Sequence, residues 1–356
     1  LRIVERSSED QWEEEVRSEW ITPFDGTDAP LVRLVWLRGS GVHNLILVGH
    51  HCICDGQAGI GLLRDLLRAY ENPESDLDCY DELCRLEEIV PPDIQNPKFH
   101  RHVRWKRRVL ECVLWCKTRH RAKPPAIDGQ SMYFHRCVLC RADAQTVVER
   151  SKVEDVTVLA PVALAFMQAF RDVRGTQTFQ KVHTMVNARR FTQCIEPDSL
   201  FGLAPGVRMR AKDLPAPSDM GINTFWKRAC AIKADLDKRV DQLSASFFQY
   251  LLSLEGLHHK YNEVVDFFER PPAVRHLTFS NLGRLALGAH YGDVRIEKVY
   301  SPLVMVSPTP ANTVVLSSFA GEMEFAMISD EQSLPRAEAA AISLRAAEIL
   351  RACVVN

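Results

Sequence analysis

Between Asn44 and Tyr70 the chain passes from a strand pattern to a helix pattern across seven residues, His50-His51-Cys52-Ile53-Cys54-Asp55-Gly56. No other stretch constrains the fold as much. Upstream, Asn44-Leu45-Ile46-Leu47-Val48-Gly49 is a short apolar run with β-branched content, the signature of a buried strand. Downstream, Ile60, Leu63, Leu66, Leu67 and Tyr70 recur at helical spacing, with Arg64, Asp65 and Arg68 on the other face. Two imidazoles and a carboxylate at such a turn mark a candidate site, because rigid elements deliver side chains to a cleft.

The chain has 356 residues, of which 46% are hydrophobic and 25% charged, with a formal net charge of −2. That composition is globular, and the length predicts two domains. Near-neutral charge gives no global reason to bind nucleic acid or a membrane. No apolar run approaches the roughly 18 residues of a spanning helix. The first residues, Leu1-Arg2-Ile3-Val4-Glu5-Arg6, contain neither an initiator Met nor a signal-peptide core, so processing or truncation is expected. Eleven Cys, an odd number in a long chain without a leader, predict free thiols in a reducing cytoplasm rather than a disulfide scaffold. Cys137 and Cys140 form an isolated CxxC in a strand-like run with no second pair at zinc-finger spacing, and are read as packing residues.

Along the chain, residues 9–19 predict a helix with Trp12, Val16 and Trp20 on one face, interrupted by Pro23-Phe24-Asp25-Gly26. Leu31 to Leu37 and the 44–50 run flank Gly39-Ser40-Gly41 and predict a β-hairpin. Residues 73–97 are acidic and Pro-containing, expected as a loop with a short helix. Residues 98–123 then turn basic, with Val109, Leu110, Val113 and Leu114 as an apolar stripe. They suit either a solvated linker helix or a basic face toward phosphate-bearing substrate or anionic lipid. Lys123-Pro124-Pro125-Ala126 to Gly129 is the expected boundary, giving domains 1–125 and 126–356. Beyond it the patterns predict a strand from Met132 to Leu139, a helix starting at 143–149, and an apolar helix from Thr157 to Phe170 with Thr157 as N-cap. A strand is expected at 178–186 and helices at 223–240 and 244–254. Strands at 275–279, 292–300, 312–319 and 322–328 precede a closing helix from Pro335 to Cys353.

At this point the residues resemble a known superfamily. His50-His51-Cys52-Ile53-Cys54-Asp55-Gly56 is similar to the HHxxxDG signature of condensation-domain and chloramphenicol-acetyltransferase-like acyltransferases. That group includes alcohol acetyltransferases, polyketide-associated acyltransferases and, with a shorter HxxxD, the plant BAHD enzymes. Three further segments follow in the family's order. Pro30 to Leu34 with the 44–50 run resembles the strand pair leading into the motif. Met185-Val186-Asn187-Ala188-Arg189-Arg190 with Phe201-Gly202 resembles V-N-x-R … G of the second domain. Phe279-Ser280-Asn281-Leu282-Gly283 resembles the S-N-x-G segment near the domain crossover.

The resemblance implies an α/β fold of two mixed-sheet domains with an active-site channel between them, the first domain incomplete at its N-terminus. It implies His51 as general base, taking the proton of an acceptor hydroxyl or amine as that group attacks an acyl thioester directly. A free imidazole titrates at about 6.5, so much of it is neutral and able to accept a proton at physiological pH. Asp55 and Arg189 are implied as a structural ion pair, with Arg190 as the alternative partner. Gly56 is implied as a close-packing residue and His50 as structural. Ser280, Asn281 and Gly283 become substrate-channel candidates. Alternation along the chain points Cys52 and Cys54 away from His51, and they are read as packing residues. The family carries a small hydroxyl residue at the position of Ala58.

No bound cofactor and no metal is expected; acyl-CoA or a phosphopantetheinyl carrier-protein thioester is the expected donor substrate. The expected partners are a small alcohol or amine acceptor and an acyl carrier protein, without nucleic acid or a transmembrane segment. Three other readings stand beside O-acyl transfer: an amide-forming condensation domain of peptide assembly, an inactive relative acting as a binder or scaffold, and a metal site on His50, His51 and Asp55. The last lacks HExxH spacing, and adjacent His residues seldom face one ion. His258-His259 is expected at an exposed helix end without chemistry.

Overall fold

The computed structural model describes residues 1–25, 30–74, 77, 85–118, 131–175, 179, 181–192, 195, 196, 199–209, 221–268, 276–304 and 311–354. It is a mixed α/β molecule of two lobes. The first lobe holds β1 (Arg2–Glu5), α1 (Gln11–Ile21), β2 (Val32–Arg38), β3 (Asn44–Gly49) and α2 (Gly56–Glu71). β1 lies parallel to β2, and β2 pairs antiparallel with β3 in the predicted hairpin. α3 (Pro97–Thr118) follows.

The second lobe runs β4 (Met132–Leu139), α4 (Arg141–Val153), α5 (Leu159–Arg174), β5 (Lys181–Met185), β6 (Gly206–Met209), α6 (Ile222–Asp241), α7 (Leu243–Glu255), α8 (Tyr261–Phe268) and β7 (His276–Arg284). A two-residue pair, β8 (His290–Tyr291) and β9 (Val294–Arg295), leads to β10 (Ala311–Phe319), β11 (Glu322–Asp330) and α9 (Arg336–Ala352). Its six-stranded sheet has the order β4-β11-β10-β7-β5-β6. The β7–β10 and β5–β7 pairs are parallel and the rest antiparallel.

Strand alternation explains how the lobes are held together. Successive side chains point to opposite faces. Val314, Leu316, Phe325 and Met327 enter the core that α5 and α9 cover, where α5 is buried on every side from Leu159 to Phe170. Their neighbours Val315, Ala326 and Ile328 enter a different core, shared with Trp12 of α1 and with Val35 and Leu37 of β2. The second lobe's sheet is therefore apolar on both faces, and the first lobe covers one of them. Arg136 of β4 reinforces this contact. Its guanidinium lies 4.1 Å from the Tyr300 ring centroid, Tyr300 stacks on Trp12 at 4.1 Å, and Arg136 pairs with the buried Glu324.

Several expectations need correction. Val158, not Thr157, is the N-cap of α5; the Thr157 carbonyl accepts the Ala160 N–H at 2.9 Å instead. The strand expected over 292–300 shrinks to Val294–Arg295, because Gly292 at φ +59° turns the chain. Val109 does not share the inner face of α3, being 39% exposed; Phe99, Val103 and Leu114 form the inner stripe, and α3 packs on α7 and α8. Lys98, Arg101, Arg104, Arg107 and Arg108 are exposed on that helix. The expected boundary at 123–129, with Arg119, Arg121 and Lys123, lies outside the described residues. Among the described residues no helix is long and apolar enough to cross a membrane.

His183 of β5 and His276 of β7 face each other with ring centroids 5.2 Å apart. Burial pushes both imidazoles below their ordinary value of 6.5, and nearby Lys181 adds to the effect. A depressed folded-state pKa means the unfolded chain binds protons first, so this contribution is complete above about pH 6.5 and declines below it. We expect the urea midpoint of the wild type to fall more steeply below that pH than that of His183→Gln/His276→Gln. Parallel pH profiles for the two proteins would refute this.

Candidate active site

The motif is built by the end of β3 and the start of α2. The His50 N–H donates to the Leu31 carbonyl at 3.0 Å, extending the hairpin, and the Ile53 N–H turns back to the His50 carbonyl at 3.0 Å. Asp55, with extended backbone, is the N-cap of α2, and its Oδ1 accepts the Ala58 N–H at 3.0 Å. Capping satisfies a backbone donor at the helix start, an additional role that the D-G-x-A spacing could have signalled.

The other Asp55 oxygen reaches across to the second lobe. Oδ2 accepts from Arg189 Nη1 at 2.5 Å and from the Leu203 N–H at 3.3 Å. Both side chains are buried, Asp55 8% and Arg189 4% exposed. The same guanidinium donates from Nη2 to the Ser199 carbonyl at 3.1 Å and to the Phe201 carbonyl. Arg189 itself sits in a tight 3-10 turn (Ala188–Phe191) opened by Asn187, whose side chain accepts the Arg189 N–H at 3.0 Å. One arginine thus ties the motif to the 199–203 loop. Arg190 is exposed and does not take that place.

The tether brings Gly202 against the motif. A Cβ on Gly202 would stand 3.1 Å from the His51 carbonyl oxygen and 4.0 Å from His51 Nδ1. His51 is exposed, at the seam where loop and motif meet. From the far side, Gly56 meets Leu282 of β7, whose Cδ2 lies 2.8 Å from where a Cβ of Gly56 would be. Leu282 reaches there through a bulge. Asn281 pairs with Leu316 and Gly283 with Ser317, leaving Leu282 unpaired, and Gly283 takes φ +62°. The Asn281 side chain accepts the Gly283 N–H at 2.9 Å, holding the bulge, and Ser280 precedes it half-buried on β7.

His50 is exposed and its Nδ1 accepts the Cys52 N–H at 3.2 Å. Cys54 packs as expected, against Gly49. Cys52 does not: it is exposed, because the turn at 51–53 ends the strand alternation and turns its thiol back to His50. A cavity of about 520 Å³ opens farther along α2, lined by Arg64 and Arg68, residues 284–288 and Tyr291. His51 does not line it. Cys137 is buried and Cys140 exposed, and among the described residues no group of three or more His, Cys, Asp or Glu is gathered as metal ligands. His258 and His259 lie exposed in a 3-10 turn after α7.

This arrangement, two mixed lobes joined at a buried Asp–Arg pair with an imidazole at the seam, defines a class of fold. Several solved structures are similar to it in fold. They include the trichothecene 15-O-acetyltransferase TRI3 from Fusarium sporotrichioides, at 13% identity and TM-score 0.68 over 99% of this chain and 76% of that one. The condensation domain of the monacolin K polyketide synthase MokA matches at 14% identity and TM-score 0.66, over 100% and 79%. Polyketide synthase associated protein 5 from Mycobacterium tuberculosis matches at 14% identity and TM-score 0.60, over 98% and 80%. The fold is the one these acetyltransferase and condensation-domain structures have. No protein-family profile matches the sequence, and neither does any curated protein.

Proposed function

We propose that this protein is an acyltransferase, moving an acyl group from a coenzyme A or carrier-protein thioester to an alcohol, with His51 as general base. The observation that carries this reading is the placement of His51. Its backbone is clamped between a rigid strand-to-helix turn and the Gly202 loop, while its ring is left accessible. The neutral imidazole takes the hydroxyl proton as the oxygen attacks the thioester carbonyl; the C–O bond forms, the C–S bond breaks, and the thiol leaves with a proton. Asp55 is committed to the cap, to Arg189 and to Leu203, so its role is to hold the turn rather than to move a proton.

The test is incubation of the protein with acetyl-CoA and panels of alcohols and amines, following free thiol and acylated product. Ester formation that depends on His51 supports the reading. Transfer to amines alone would make the protein an amide-forming condensation enzyme, and no transfer with any CoA or carrier-bound donor would leave a binding role in its place. Gly202 offers an independent check as a positioning residue. Gly202→Val forces the loop off the His51 carbonyl, and misplacement on the scale of 1 Å costs on the order of 10²-fold in rate. We expect that loss in kcat with a Tm close to wild type; unchanged kcat would remove the loop from the site.

A further inference from the structure

We propose that Cys52 is a reactive thiol, activated by His50, that takes up low-molecular-weight disulfides and forms a modification site adjoining His51. His50 Nδ1 lies 2.8 Å from Cys52 Sγ and also accepts the Cys52 backbone N–H at 3.2 Å. A neutral ring has one bare nitrogen, and a ring protonated on Nε2 presents it at Nδ1 to both the Cys52 N–H and the thiol. In that tautomer Nδ1 can take the thiol proton as the sulfur attacks, giving up the Cys52 N–H, and a thiolate beside a cationic ring is the reactive form of cysteine. Phe24 steadies the ring from the side, edge-on at 5.7 Å, and Phe24 is itself capped by the Arg33 guanidinium at 4.0 Å.

The neighbouring thiols lack this setting. Cys54 is half-buried against Gly49, and burial together with Asp55 pushes its thiol up, keeping it protonated. Cys112, Cys116 and Cys140 are exposed, but among the described residues none has an imidazole partner. Cys140 lies instead beside the Asp143 carboxylate.

The reaction balances as thiol–disulfide exchange. Cys52 sulfur attacks one sulfur of the reagent, the reagent's S–S bond breaks and a new one forms. The proton taken by His50 passes to the departing thiolate. The reagent supplies the oxidising equivalents. The adduct stands one residue from His51 and obstructs approach to it. That consequence for turnover rests on the function proposed above, whereas the reactivity of Cys52 does not.

The experiment treats the whole protein with glutathione disulfide, and separately with iodoacetamide, and follows each cysteine by peptide mass spectrometry. Cys52 should react roughly tenfold or more faster than Cys112 and Cys116. His50→Gln should bring it down to their rate. Glutathione disulfide should stop acyl transfer reversibly, with dithiothreitol restoring it. Cys52→Ser should transfer at the wild-type rate and resist the reagent. Cys52 reacting no faster than Cys112 in the wild type, or remaining fast in a folded His50→Gln, overturns the proposal. Rapid labelling without any transfer activity would sustain the modification site while removing the proposed function.

Discussion

His51→Ala is expected to lower ester formation by about 10²–10⁴-fold, the usual worth of a positioned general base, while the Tm stays near that of the wild type. The ring of His51 is exposed and contributes little to any core, so its removal leaves no buried cavity and no orphaned charge. What disappears, under the proposed function, is the group that accepts the acceptor's proton. Measuring kcat and KM together sharpens the test: a base acting on the chemical step lowers kcat, whereas a residue that only binds substrate raises KM. A His51→Ala protein with full turnover would refute the assignment.

Removing Asp55 should act in the opposite way, on the fold first. Asp55→Ala strands the Arg189 guanidinium in a buried site, loses the cap of α2 and frees the Leu203 N–H. Breaking one side of a buried ion pair costs about 3–5 kcal/mol, a large share of a typical stability of about 5–15 kcal/mol. The expected result is a lower denaturation midpoint and loss of activity in the same variant. Arg189→Ala should resemble it, since it leaves the Asp55 carboxylate unpaired and releases the carbonyls of Ser199 and Phe201. Coupling analysis separates the pair from its parts: the double variant should cost clearly less than the sum of the two singles. Additive losses would show that the two side chains act independently.

Much of this was readable along the chain. The hairpin, α2, the helices at 222–255, the β10–β11 pair and α9 follow from alternation and helical spacing, because each buries one face and its residues report that face directly. The pairing of Asp55 with Arg189 followed from a resemblance carried by short motifs 134 residues apart, and the two side chains do meet. The bulge at Leu282 was not readable, since a local repeat cannot say which residue of a strand goes unpaired. Nor was the proximity of Gly202 to His51. A glycine gives no sign of the atom that would collide with its missing Cβ. Cys52 was misplaced for a related reason: period-two alternation ends where the strand ends, and the turn at 51–53 points its thiol back to His50.

The sequence alone determined the strand–motif–helix unit, the apolar stripes of the elements and the placing of two imidazoles and a carboxylate at one turn. Those properties depend on neighbours a few positions away. Tertiary structure decided which loop lies on His51, which arginine satisfies Asp55, and that one sheet is shared by the cores of both lobes. These contacts join residues far apart in the chain, and their geometry is set only when both faces of the second sheet are buried at once.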